Sequence, residues 1–429
     1  MKHLICTTLL TVCISISVFA GIDMQAHVAS DEGMNAYTDY VSRQASYYAG
    51  SYTYSNLAAQ QGDYLFGSLN SLMGQTSKIG SSSYSYNSLR SAYAGVDRDL
   101  NRAGYIIGYY DGYSFEGDWD SGNTWNREHT WPQSKGANKS IPMGHDMQSV
   151  RPTRTAVNSN RGNTPYGEGK SYYDPDEVKI NNKEYKTINR GSYRGDCARV
   201  ILYDYIVYGK QGAYSNNLYN NQAQLLNKLG SSGVFESVEM LLKWHMQDPP
   251  SLTEMVRNDG AEDYQGNRNP FIDFPEFAIQ ILKDEVTTYT VTCNQPLNPN
   301  YTLSTKYGFV AYLTDKDGHH PSKVQVSGAT GEYEASLGRL TVTHVTGNVR
   351  IQTDGTNTGI DATEEGTFPY YTCDGVLYIT HPEGQDITIY NLLGYRLVSK
   401  KGQAENCALE LPRGTYLLQI GKQRYKVLL

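Results

Sequence analysis

The sequence predicts an α+β chain: a mainly helical region over 21–285, then two small all-β, sandwich-like units at 286–353 and 368–429. Three observations predict this. Apolar and aromatic residues recur at helical spacing in 36–49, 63–73 and 196–208. At Glu285 that period stops, and 286–353 alternates β-branched and polar residues between turns such as Asp317-Gly318 and Gly347-Asn348. The run 354–367 is polar, acidic and rich in Gly and Thr, which marks a linker before the last unit.

A chain of 429 residues is long enough for several domains. Residues 1–20 carry Lys2, an apolar run and small side chains at Val18 and Ala20, the pattern of a secretory signal peptide. The helical region then offers helices at 36–49, 63–73 and 88–96, with a Ser/Tyr-rich loop at 80–87. A short strand at 104–110 meets the turn Asp111-Gly112. Residues 146–150 read as another short strand, and 153–160, behind Pro152, as the opening of a helix. The strongest helix is 196–208, bounded by Gly195 and Gly209. A helix at 234–247 ends at Asp248-Pro249-Pro250, and 276–284 forms the last one. Between them 265–273 (QGNRNPFID) reads as a turn too polar for a core. The final unit has strands at 376–380, 386–391, 395–400, 415–420 and 425–429.

A net charge of −7 argues against a protein that coats nucleic acid by bulk electrostatics. The charge is uneven, however: between 151 and 210 eleven Lys/Arg face seven Asp/Glu, a local surface suited to a polyanion. Cys6 and Cys13 fall in the signal segment; Cys197, Cys293, Cys373 and Cys407 are too widely spaced for a disulfide framework or a CxxC metal site. Cys373 and Cys407 either pair within the last unit or are buried thiols.

Catalytic side-chain types concentrate in 125–163. Hydrolysis of a phosphodiester needs a base for the attacking water and neutralisation of charge on the phosphate and leaving oxygens. A neutral His supplies the base, since its ordinary pKa of about 6.5 lies near working pH. A hard divalent cation bound by oxygen ligands meets the other needs. Glu128 and His129 are adjacent, so on a regular strand they point to opposite faces. A bulge or a strand end is required for them to converge, and Pro132 is a reason for the strand to stop. Asn158, on the helix behind Pro152, offers a neutral oxygen.

This pattern resembles the endonuclease I family of secreted, non-specific nucleases. The matching pieces are Arg127-Glu128-His129 with Trp131-Pro132, then Asp146 with Arg151-Pro152, Val157-Asn158-Ser159 and Arg161-Gly162-Asn163. Gly195-Asp196-Cys197-Ala198-Arg199 and the 265–273 segment follow in order. The resemblance implies a ββα-metal (His-Me finger) core, His129 as general base, and Glu128 with Asn158 holding one Mg²⁺, or Ca²⁺. It implies DNA and RNA as substrates and 5′-phosphate products. Gln148 stands where the family usually has a His, and 139–145 lacks the Arg some members place there to meet the phosphate. Arg161, Arg190 and Arg194 are the candidates for that cation, and Arg127 joins Arg190 and Arg194 as a candidate substrate contact.

Blander readings hold elsewhere. His145 orders its loop, His245 packs inside a helix, Asp118 and Asp120 belong to a turn, and Asp196 with Arg199 forms a local i,i+3 pair. Asp315 to Gly318 reads as a hairpin turn, and His319-His320 as an exposed one. Ile389 to Gly394, Leu411 to Tyr416 and the terminal Tyr425 to Leu429 resemble the C-terminal sorting domain of type IX secretion in Bacteroidetes. That implies export across the outer membrane by that machinery, then release or surface attachment. No stable protein partner is expected, and the chain reads as a monomer. The rival readings are an inactive adhesin or ligand-binding protein on a nuclease-like scaffold, and a ribonuclease restricted to RNA.

Overall fold

The computed structural model describes residues 31–353 except 82, 101, 178, 181–182, 185–191, 210–224 and 314–319, together with parts of the last unit between 370 and 428. The signal segment, the linker at 354–367, Arg190 and the Asp317-Gly318 turn lie outside the described residues.

The helical region is built around Arg194–Tyr208, which packs against Gly62–Thr76 and Val238–Gln247. Both ends and nearly every side of this helix are buried, so its sequence shows no single apolar face. It begins at Arg194, one residue ahead of Gly195. A Cβ on Gly195 would run into the carbonyl of Asp248, so only glycine lets the two backbones meet there. The helix expected from Val234 starts instead at Val238, because Ser237 accepts a hydrogen bond from Met240 N at 3.1 Å and caps it. Leu252–Gln265 is a further helix, opened by a capping box of Ser251 and Glu254. His245 is fully buried and donates from Nε2 to Pro275 O at 2.7 Å.

The 265–273 segment corrects the sequence reading: Gln265, Asn267, Arg268 and Asn269 are all buried. Burial is tolerated because the polar groups satisfy one another. Arg268 meets Asp259 and Glu262 at 2.7 Å and Asp273 at 2.9 Å. Gln265 Nε2 donates to Asp146 Oδ1 at 2.8 Å.

Four short strands position the region 105–154. β1 (Tyr105–Ile107) pairs antiparallel with β2 (Ser114–Glu116), and β3 (Trp125–His129) pairs antiparallel with β4 (Val150–Arg154). The strand expected at 146–150 is therefore displaced: Asp146 to Ser149 is a turn, with Ser149 N and Val150 N both donating to Asp146 O. The helix expected from Thr153 begins at Thr155 and runs to Arg161. Pro152 keeps the residue before it extended and so belongs to β4, opposite Arg127.

Residues 289–353 form two four-stranded sheets. One orders Thr330–Glu334, Arg339–Thr343, Phe309–Leu313 and Leu297–Asn298; the other orders Val324–Ser327, Val349–Thr353, Tyr289–Cys293 and Leu303–Ser304. Its apolar interior (Phe309, Leu313, Val342) is continuous with the helical core around Trp244 and Phe277. His320, expected in an exposed turn, is buried with its Nδ1 3.0 Å from Leu313 O. The last unit is antiparallel, with Tyr370–Cys373 and Cys407–Glu410 as strands beyond those expected from sequence.

Candidate active site

β3, β4 and the helix Thr155–Arg161 form a β-hairpin followed directly by a helix. The register runs unbroken from Trp125↔Arg154 to His129↔Val150, with no bulge. The strand ends at His129, and its regular alternation sends the Glu128 and His129 side chains to opposite faces. Asn126 and Glu128 share one face of β3, and Arg127 and His129 the other. Asn158 and Arg161 are three apart on the helix and share a face. That helical face meets the Asn126/Glu128 face pair by pair: Asn158 Nδ2 donates to Asn126 Oδ1 at 2.5 Å, and Arg161 Nη1 to Glu128 Oε1 at 2.9 Å.

Glu128 is buried, and both of its hydrogen bonds to described residues fall on Oε1: the second donor is the Tyr110 hydroxyl at 2.7 Å. Among the described residues none falls on Oε2. Asn158 likewise gives its NH₂ to Asn126 and leaves its amide oxygen without a protein partner among the described residues. One carboxylate oxygen and one amide oxygen on the same side of the motif make a donor set that fits a hard divalent cation retaining most of its water. Burial pushes the Glu128 carboxyl above the ordinary range, opposed by Arg161 and Tyr110. Among the described residues no group of three or more His, Cys, Asp or Glu gathers as a metal site, here or elsewhere.

His129 Nε2 lies 3.1 Å from the carbonyl of Gly144. A carbonyl only accepts, so Nε2 carries the hydrogen and Nδ1 presents a lone pair. Gln133 Nε2 approaches Nδ1 at 3.4 Å, too long to hold it strongly. Burial pushes the imidazole down to about 4, with Gly144's carbonyl opposing and the charges of Arg127, Arg161 and Lys139 adding. The ring is therefore neutral, a base, at neutral pH. A Cβ on Gly144 would strike the backbone at Asn138 and Lys139, so glycine is needed where this carbonyl turns toward His129.

The arginines take different places. Arg161 is fully buried; besides Glu128 it donates to the carbonyls of His129 at 2.9 Å and Thr130 at 2.7 Å. Its guanidinium is committed inward, holding the Glu128 carboxylate and the strand end together. Arg194 pairs with Asp174, Asp176 and Glu168 in a half-buried cluster. Arg127 lies under the Tyr86 ring, 3.5 Å from its centroid, and donates to the Tyr86 carbonyl. Arg190 is outside the described residues. Asp146 accepts from Gln148 N, Gln265, Tyr203 and Tyr208, so it braces the turn ahead of β4.

Residues 71–276 match the endonuclease I family. The extracellular ribonuclease of Bacillus amyloliquefaciens is 33% identical over 214 residues, covering 47% of this chain and 70% of that protein. The chain belongs to the endonuclease I family. The extracellular ribonuclease of Bacillus subtilis (strain 168) is 32% identical over 209 residues, covering 46% of the chain and 68% of its own length. As an endonuclease I family member the protein is a nuclease that hydrolyses phosphodiester bonds. The family is generally dependent on a divalent metal.

Sequence reasoning missed three groups that shape this endonuclease I site. Tyr110 holds Glu128 from a turn where its own backbone is left-handed (φ 80°), and no side-chain periodicity announces that. Asn126 fixes the Asn158 amide and was visible only as the residue two before Glu128, on its face. Tyr86, in the loop before Leu89–Val96, stacks on His129 with ring centroids 5.2 Å apart.

Proposed function

We propose that this nuclease is a secreted, sequence-indifferent endonuclease that cleaves DNA and RNA with Mg²⁺ and leaves 5′-phosphate products. The observation that carries the reading is that one hairpin–helix unit holds one unengaged oxygen each on Glu128 and Asn158 and a neutral His129 whose Nδ1 has only the long Gln133 contact. Glu128 and Asn158 would hold the cation, which when bound stabilises charge on the phosphate and the departing 3′-oxygen. His129 Nδ1 takes the proton of the attacking water, and its Nε2–H stays on Gly144 O, so the ring keeps its orientation through the step. Arg161 and Tyr110 keep Glu128 Oε1 occupied and thereby aim Oε2. Residues 1–20 direct Sec export, and the last β unit directs type IX secretion and release or surface attachment.

The named relatives are extracellular ribonucleases, which supports secretion and favours a second reading in which this chain acts on RNA alone. Incubation of the purified protein with plasmid and with RNA, each with Mg²⁺ and with EDTA, separates the two. Cleavage of both polymers with Mg²⁺ alone is expected. Cleavage of RNA only establishes the second reading, and undiminished cleavage in EDTA contradicts the metal.

A further inference from the structure

We infer that Tyr86, Arg90, Trp119 and Arg127 form a subsite for single-stranded nucleic acid that leads a strand onto His129; this rests on the nuclease reading above. The four make a continuous ladder of rings and guanidinium groups. Arg90 lies 4.7 Å from the centre of the Trp119 ring, and Arg127 lies 5.2 Å from Trp119 and 3.5 Å from Tyr86. Tyr86 then stacks on His129 at 5.2 Å with the planes 28° apart. The ladder therefore ends on the candidate base.

Its charge is uncompensated. Neither Arg90 nor Arg127 has an ion pair among the described residues, and the Nε of each is sealed from solvent without a hydrogen-bond partner. Two guanidinium groups lie over the same indole, and beyond the π faces Arg127 has only the Tyr86 carbonyl as a partner among the described residues, so their like charges repel until an anion arrives. A phosphate between the two arginines removes that repulsion. Trp119 and Tyr86 are only half-buried, and the exposed part of each ring suits an unstacked base. A duplex keeps its bases inside its own stack and cannot use them. The ligand is thus a single strand, read by backbone charge and stacking without sequence preference.

The test uses the full chain in EDTA, which prevents cleavage, and fluorescence anisotropy with a short single-stranded oligodeoxynucleotide and the matching duplex. Arg90→Gln is expected to weaken single-strand binding about ten-fold and to lower the salt slope by about 0.7, one phosphate contact. Trp119→Leu should weaken it by a similar factor and Trp119→Phe should restore it, with duplex binding unmoved in all three. Wild-type affinity and slope in Arg90→Gln, or equal losses for strand and duplex, would overturn the subsite. The same preparations are assayed for cleavage with Mg²⁺. A wild type that cuts while Arg90→Gln binds normally sinks the subsite alone; a wild type that cuts nothing sinks the nuclease reading beneath it.

Discussion

Replacing Arg161 by Met separates two roles for that residue. In the structure the guanidinium serves Glu128 and two backbone carbonyls, and it is fully buried. Removing it leaves the Glu128 carboxylate with the Tyr110 hydroxyl as its remaining donor. Stranding one partner of a buried ion pair costs ~3–5 kcal/mol. The carbonyls of His129 and Thr130 lose donors at about 1–3 kcal/mol each where no water replaces them. A loss of ~5 kcal/mol is a large share of the ~5–15 kcal/mol that stabilises a domain. Urea unfolding at neutral pH in EDTA measures it, with Glu128→Gln alone and combined. The double variant should recover ~1 kcal/mol or more over Arg161→Met, because a neutral amide is cheaper to bury unpaired. If Arg161→Met stays within ~1 kcal/mol of wild type while cleavage disappears, the guanidinium acts on the phosphate and the inward assignment is refuted.

Other expectations follow from the same geometry. His129 sits at about 4 and His245 at about 3, both below the ordinary histidine value of about 6.5. The unfolded chain takes up these protons first as pH falls, so stability is fully present above about pH 6.5 and declines toward pH 4, by ~1.4 kcal/mol per unit for each group. Denaturant titrations across that window should show the decline, and a flat profile would contradict the buried neutral rings. Asn126→Leu frees the Asn158 amide to rotate; calorimetric titration without substrate should show Mg²⁺ affinity reduced about ten-fold, and unchanged affinity would remove Asn126 from the site. Gly144→Ala forces the 138–144 loop off His129 and should reduce kcat by about 10²-fold while substrate binding changes little; a wild-type kcat would show that this carbonyl does not set the ring.

Much of the fold was legible because helical periodicity is a local property. The helices at 36–49, 63–73 and 196–208 lie within a few residues of Asp31–Tyr47, Gly62–Thr76 and Arg194–Tyr208. Boundaries failed where side chains overrode period: Ser237 delays its helix, and the turn at Asp146 pushes β4 to Val150. The helix Leu252–Gln265 had a signature in Ser251 and Glu254, yet its many polar residues hid its apolar face. Those residues point into a buried polar network with the 265–273 segment, which no hydropathy rule anticipates. At the site, Glu128, His129 and Asn158 were readable as candidates within a short span. The inward turn of Arg161 was not, since a helical arginine looks the same in sequence whether it faces a phosphate or a buried carboxylate.

The most direct test of the site is the single-turnover rate of His129→Ala against wild type at saturating Mg²⁺ and substrate, on whichever polymer the wild type cleaves. Loss of a general base predicts a fall of about 10²–10⁴-fold in rate, with Mg²⁺ binding by calorimetry retained because Glu128 and Asn158 are intact. A variant that cleaves at the wild-type rate would contradict the assignment of His129 as the base.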